Sequence, residues 1–163
     1  EAAAALRPDP ACYTEDFSKI EADLPVVGVP WEAVRGWCAW KSAQTGLRWR
    51  PLSDGEWERL WRGVDGRRFP WGDHLDASFS NLHESTENPR PCPVGHFPLD
   101  QGPYGVRGLA GNVREWVSSA EGPRIRGGSF LTPLAELDLG RRPIADPSLR
   151  AIDLGFRAVC TLV

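Results

Sequence analysis

The 163-residue sequence contains no methionine and only two lysines, and its four cysteines nowhere form a C-x-x-C pair. Each shortage excludes something. A chain that opens on Glu1 without any methionine is expected to be a piece of a longer or processed protein, so no targeting signal is read from its N-terminus. Cys12, Cys38, Cys92 and Cys160 stand 26, 54 and 68 positions apart, which excludes a paired-thiol metal site. Two disulfides in three pairings are open to them, but Cys38 falls on the apolar stripe of a helix. Reduced thiols and a cytoplasmic setting are therefore expected. No apolar run approaches the roughly 18 residues of a membrane-spanning helix, so no membrane partner is expected. With 19 Lys+Arg against 22 Asp+Glu, the net charge of −3 leaves no footprint for nucleic acid.

Glycine (17), proline (15) and tryptophan (8) are abundant. Without a Gly-X-Y period, the first two read as loops rather than collagen or linker. The 41% hydrophobic and 25% charged composition is that of one globular domain able to bury a core. Residues 1–23 read as an N-terminal segment, processed or a linker, and residues 24–163 as the domain. Leu24 to Val29 suits a buried strand or extended segment. Pro30 opens a helix from Trp31 to about Ala43, with Val34, Trp37, Cys38 and Trp40 at helical spacing and Gly46 as its stop. Ser53 with Glu56 three residues on is a capping box, and Trp57, Leu60 and Trp61 share one helical face as far as Gly63. Short strands are expected at residues 69–73, 93–98 and 115–117. Longer ones are expected at Ile125 to Phe130 and Phe156 to Leu162, with about 25 residues of loop between them. There is no internal repeat.

Seven segments stand out as ordered strings. They are Pro25-Val26-Val27-Gly28-Val29-Pro30-Trp31, Arg48 to Glu58, Phe69-Pro70-Trp71-Gly72-Asp73, Pro93 to Pro98, Gly105 to Trp116, Arg126-Gly127-Gly128-Ser129-Phe130 and Gly155-Phe156-Arg157. Together they resemble the formylglycine-generating enzyme family, also called the sulfatase-modifying-factor domain, over about residues 24 to 160. The family's central run reads GNVWEW where this sequence has Gly111-Asn112-Val113-Arg114-Glu115-Trp116. The resemblance implies an α+β, loop-rich C-type-lectin-like fold with two helices and short antiparallel strands. Family domains start with a pattern like IPGGxFxMG that residues 1–23 lack. The first strands are therefore expected to be missing from this sequence, and the chain is expected to pair with an N-terminal piece of the same protein or to sit in a larger multidomain host.

Asn112 and Glu115 are three apart, flanked by glycines, and offer oxygen atoms only, which suits calcium with backbone carbonyls filling the shell. The other reading has Asn112 capping a turn and Glu115 paired with an arginine. The resemblance implies calcium ligands at Asn112, Val113 (backbone) and Glu115. It also implies a second site at Asn81 with the Leu82 carbonyl, where Glu84 and Glu87 are the candidate acids and an ordinary loop asparagine is the alternative. Arg126-Gly127-Gly128-Ser129 lacks the lysine and helix of a phosphate loop and reads as a strand whose glycines allow close backbone packing. Arg157 is expected to be a buried or half-buried cation with a carboxylate partner.

The family's oxidase holds copper between two thiolates shortly after the RGGS motif, and soft thiolates are what copper(I) demands. Residues 130–142 contain no cysteine and Cys160 is a single thiol, so no copper and no catalytic residue is expected. His74, His83 and His96 are scattered in loops. The family's iron-dependent relatives take their ligands from a separate helical domain that is not in this sequence. The expected role is a non-catalytic, calcium-stabilised recognition or regulatory domain. Its ligand or protein partner is expected on the loop 130–154 through Leu131, Leu134, Asp138, Arg141, Arg142, Asp146 and Arg150. In a branch of the family found with diversity-generating retroelements, the region before GFR is the diversified surface. Of the residues that adenine-directed mutagenesis of AAC codons cannot yield, 130–154 contains only Glu136. The plainer reading is that the loop's leucines complete the core and its arginines are solvated. The alternative function is a formylglycine-type oxidase or other metal-dependent enzyme whose ligands lie outside this chain.

Overall fold

The extended backbone at Pro30 (φ −77°, ψ 163°) hands the chain into α1 (Trp31–Thr45), with Glu32 in the positively polarised first turn. The computed structural model describes residues 23–140 and 142–161; the N-terminal segment and Arg141 lie outside the described residues. Trp31, Ala33, Val34 and Cys38 form the buried face of α1, and Gly46 closes it, its N–H reaching the Ser42 carbonyl. Trp40, expected on that face, instead lies at 37% exposure. β1 (Arg48–Pro51) follows, and α2 (Asp54–Arg62) starts on the expected capping box, with the Ser53 hydroxyl accepting from Glu56 N–H while the Glu56 carboxylate accepts from Ser53 N–H. Trp57 and Trp61 are its buried side chains.

The remaining strands are β2 (Arg114–Ser119), β3 (Gly122–Arg126), β4 (Leu154–Phe156) and β5 (Ala158–Thr161). β2 is central in a three-stranded sheet, antiparallel to β3 and parallel to β4, while β1 pairs antiparallel with β5. A single chain segment thus leaves one sheet at Phe156 and enters the other at Ala158, with Arg157 between. The architecture is the expected α+β class with two helices and short strands, but several boundaries differ. Leu24 to Val29 is extended without strand pairing, with Val27 and Val29 buried. Residues 69–73 and 93–98 form turns. The strand expected from Ile125 to Phe130 occupies Gly122–Arg126, because Gly127 turns the backbone to φ 79°. The expected close packing is present all the same: a Cβ on Gly128 would lie 2.6 Å from the Ala110 carbonyl oxygen.

Alternation along β2 divides the core. Trp116 packs with Val29, Trp31, Val34, Ile125 and Leu154 on the α1 side, whereas Val117 joins Leu52, Trp57, Trp61, Phe69, Leu82 and Leu109 on the α2 side. Buried tryptophans keep their N–H groups bonded: Trp116 donates to the Val29 carbonyl at 2.9 Å and Trp61 to the Arg68 carbonyl at 2.9 Å. Cys38 is buried, which pushes its thiol up to about 11; it is unpaired, as are Cys92 and Cys160. Among the described residues no helix is long and apolar enough to cross a membrane.

Candidate functional site

Glu115, facing the α2 side of β2, is 4% exposed and fully engaged. Its Oε2 accepts from Trp57 Nε1 at 2.9 Å, and Arg157 donates to both its oxygens at 2.6–2.9 Å. Arg157 Nη2 also donates to the carbonyls of Arg107 (3.1 Å) and Gly108 (3.0 Å). Burial alone would lower the guanidinium, but the charge and hydrogen bonds of Glu115 outweigh it and hold the pKa above its ordinary value. The arginine partner anticipated for Glu115 is therefore Arg157, and the carboxylate partner anticipated for Arg157 is Glu115.

Asn112 turns elsewhere. At φ 70° it is the non-glycine residue of positive φ among the described residues. Its Oδ1 accepts from Cys92 N–H (2.9 Å) and from Asn81 Nδ2 (3.0 Å), and its Nδ2 donates to the Cys92 carbonyl (3.0 Å). Asn81, 2% exposed, also donates to the Arg90 carbonyl at 2.9 Å, and its own carbonyl accepts from Asn112 N–H at 2.8 Å. The two asparagines expected at separate calcium sites are thus bonded to each other, in a knot that ties residues 81–92 to the turn before β2. The donor set proposed for Asn112 and Glu115 is not assembled, since each side chain has separate partners; Val113 is buried beside them. Leu82 is fully buried, with its N–H on Ser85 Oγ. Glu84 accepts from Leu134 N–H at 2.9 Å and Glu87 is exposed. Among the described residues no group of three or more His, Cys, Asp or Glu is placed to hold a metal ion.

The loop 130–154 roofs a cavity of about 510 Å³. Its floor is polar: Arg114 grips Asp153 through Nε (2.8 Å) and Nη2 (2.6 Å), and Ser129 Oγ donates to the same carboxylate at 2.7 Å. Ile125, Leu131, Leu137 and Pro143 form apolar walls, with Thr132, Glu136 and Asp138 around them. Of the residues expected on a binding face, Leu131 and Asp138 line this cavity. Leu134 is half-buried against the α2-side core. Arg142 reaches back to Glu58 at 2.8 Å, Arg150 donates to the Gly28 carbonyl at 3.2 Å, and Asp146 accepts from Ser148 N–H and hydroxyl at 2.8 and 2.7 Å. Those Ser148 bonds hold the Asp146 carboxyl below the usual range. Arg141 lies outside the described residues. Leu137 and Leu139 are buried at 8% and 7%, so that part of the loop does complete the core. Arg114 and Asp153, the floor itself, were not singled out from sequence. The available signal was Arg114 standing where the family run has tryptophan.

Comparison with known proteins agrees over nearly the whole chain. A model of the sulfatase-modifying factor enzyme 1-like domain matches residues 7–162. Hercynine oxygenase from Mycolicibacterium smegmatis is 36% identical over 108 residues, covering 63% of this chain and 23% of that protein. Inactive C-alpha-formylglycine-generating enzyme 2 from Mus musculus is 32% identical over 126 residues, covering 67% of this chain and 38% of the relative. The chain therefore spans well under half the length of these relatives. Treponema denticola variable protein 1 superposes with a TM-score of 0.78 at 18% identity, over 98% of this chain and 80% of that one, a likeness of fold.

Proposed function

This chain belongs to the sulfatase-modifying factor enzyme 1-like domain family, and from that premise we propose that it is a non-catalytic recognition domain that takes a ligand or protein segment into the cavity under residues 130–154. The observation that carries this reading is the state of the cavity floor. Arg114, Asp153 and Ser129 are spent on one another, so they shape a rigid, neutralised base rather than supply a free acid, base or nucleophile. Leu131, 43% exposed at the rim, and Asp138 are the residues through which a partner would be gripped. The likeness in name and sequence to an inactive formylglycine-generating enzyme supports the non-catalytic part. The fold shared with a variable protein supports a surface whose sequence is free to diversify.

The greater length of the relatives supports a host protein in which this domain is one unit. Three unpaired cysteines support a reducing, cytoplasmic setting. Calcium is kept as a separate proposal with its own test. A higher melting temperature in calcium than in chelator supports it, and superimposed curves overturn it.

The test of the main reading is capture with this chain as bait, comparing the wild type with Leu131→Asp and Asp138→Lys. Loss of the wild-type partner from both variants, with unchanged circular dichroism, is expected. Undiminished capture by both would remove the cavity from the binding face. A second reading, favoured by the identity to hercynine oxygenase, makes the chain part of a metal-dependent enzyme whose ligands lie elsewhere. Stoichiometric iron or copper in protein purified without chelator would favour it over the first.

A further inference from the structure

The two open sheets present outer edges on β3, β4, β1 and β5, and the first three are covered. On the β3 edge Ala145 N–H donates to the Pro123 carbonyl at 3.0 Å, and Ile144 bridges Arg124. On the β4 edge Gly28 N–H donates to the Leu154 carbonyl at 3.1 Å. The β1 edge lies against α1, where Trp49 N–H donates to Ser42 Oγ at 2.9 Å and the same hydroxyl donates to the Trp49 carbonyl at 3.4 Å.

Those Ser42 bonds fix which way β5 faces. Both main-chain groups of Trp49 turn to α1, so the opposed residues Trp49 and Cys160 form a non-hydrogen-bonded pair, and β5 bonds to β1 through Val159 and Thr161. Pro51, which has no N–H, stands opposite Ala158 at the next such pair, where none is needed. The N–H and C=O groups of Ala158 and Cys160 therefore point away from β1. Among the described residues they meet no hydrogen-bond partner. Nor does Ala158-Val159-Cys160-Thr161 carry a charge or a proline that would guard an edge. The side chains beside it are equally uncovered. Trp37 stands 6.0 Å from the Trp49 ring and 5.4 Å from that of Phe156, and all three are half-buried, as are Val159 and Cys160. Trp57, Trp61 and Trp116, by contrast, are fully buried.

We propose that the outer edge of β5 seats one extended strand supplied by the host protein from outside this chain. This seat presupposes the host reading given above, which the relatives support, since the chain covers 23% and 38% of two of them. Such a strand gives the Ala158 and Cys160 groups their partners and turns its alternate side chains towards Trp37 and Phe156. It also raises the two-stranded sheet to three strands, the size at which a small sheet becomes stable. A second copy of this chain is the poorer occupant, because two four-residue edges bury far less than the about 1,000 Å² of a specific interface. The edge is separate from the cavity under residues 130–154, which no β5 residue lines.

Amide hydrogen exchange of this chain and of the full-length host protein tests the assignment. In this chain the Ala158 and Cys160 amides are expected to exchange freely while those of Val159 and Thr161 are protected. In the host all four are expected to be protected, with Cys160 slowed by about a hundredfold or more. Cys160→Pro removes an N–H that β1 does not use, so it is expected to lower the melting temperature of this domain in the host and leave that of the separate chain unchanged. Cys160→Ala keeps the N–H and is expected to move the two proteins alike. A Cys160 amide as fast in the host as in this chain would overturn the assignment, as would an equal fall in melting temperature in both proteins on Cys160→Pro. Protection already present in this chain would overturn it too: independent of concentration, it means that the chain covers its own edge, and rising with concentration, that a second copy does. A native protein no longer than this chain would remove the host reading and the seat with it, and its mass shows this before any exchange is measured.

Discussion

Residues 105–117 with the closing strands, and residues 130–153, meet along β2 but are fastened in opposite ways. In the first region the charge is buried and closed. Glu115 gives both oxygens to Arg157 and Trp57, and Arg157 spends its remaining reach on two carbonyls. In the second region the fastening is spread along the loop in separate contacts: Asp153 with Arg114, Arg142 with Glu58, Arg150 with the Gly28 carbonyl, and the Ala145 N–H with the Pro123 carbonyl. Between them Leu131, Ile144, Leu149 and Ile152 lie at 43%, 58%, 38% and 42% exposure. Arg126 spans the two. It is 1% exposed, lies over the Trp57 ring at 4.8 Å, and donates to the Leu139 carbonyl at 2.7 Å. Its Nε is 3.0 Å from Asp54 Oδ1, yet burial still lowers its pKa. A closed buried network couples all its members, whereas a loop fastened by separate contacts, several of them through backbone, leaves its exposed side chains free to vary.

The sharpest way to break that comparison is Glu115→Ala. It strands a half-buried guanidinium and a buried tryptophan N–H together, and a loss of about 2–4 kcal/mol is expected in urea unfolding. A loss below about 1 kcal/mol would show that the closed network is not what fastens the region. Asp153→Ala comes next. It removes both Arg114 bonds and the Ser129 bond from a 5%-exposed carboxylate, for an expected loss of about 1.5–3 kcal/mol. Limited proteolysis should then cut within residues 131–152 sooner than in the wild type. Ile144→Ala, at 58% exposure in the middle of the loop, should stay within about 0.5 kcal/mol.

How much was legible in the sequence follows the same division. The capping box at Ser53 and Glu56, the helix stop at Gly46, and a carboxylate partner for Arg157 were readable, because each depends on local spacing or on the cost of burying a lone charge. The break of the last strand at Arg157 was not, since moving from one sheet to another is decided by tertiary pairing. Asn112 and Glu115 looked like one donor set because they are three apart. Glu115 lies within β2 and serves Trp57 and Arg157, while Asn112 lies before β2 in a left-handed turn and serves Cys92 and Asn81. The cavity floor joins Arg114 to Asp153 across 39 positions, a pairing that spacing cannot announce.

The smallest charge effect belongs to a pair that resembles the closed network in geometry but not in burial. Arg50 meets Glu56 at 2.7 Å through both nitrogens, and Ser53 N–H and Oγ donate to the same carboxylate at 2.9 and 2.8 Å. These bonds, that of Arg50 foremost, hold the Glu56 carboxyl at about 2, below its ordinary 4.5. The folded-state value is depressed. The contribution is therefore fully present above about pH 4.5 and is lost as pH falls from there towards about 2. With the side chains 35% and 40% exposed, solvent screening limits it to below about 1 kcal/mol. Glu56→Gln isolates the charge, because glutamine at this position still completes the capping box. The stability gap between wild type and Glu56→Gln, measured by urea unfolding, should be at its full small value at pH 7 and close as pH approaches 2. A gap that does not move with pH would mean that hydrogen-bond geometry, not charge, sets the difference. Exposed and buried arginine–glutamate pairs would then differ only in their access to solvent.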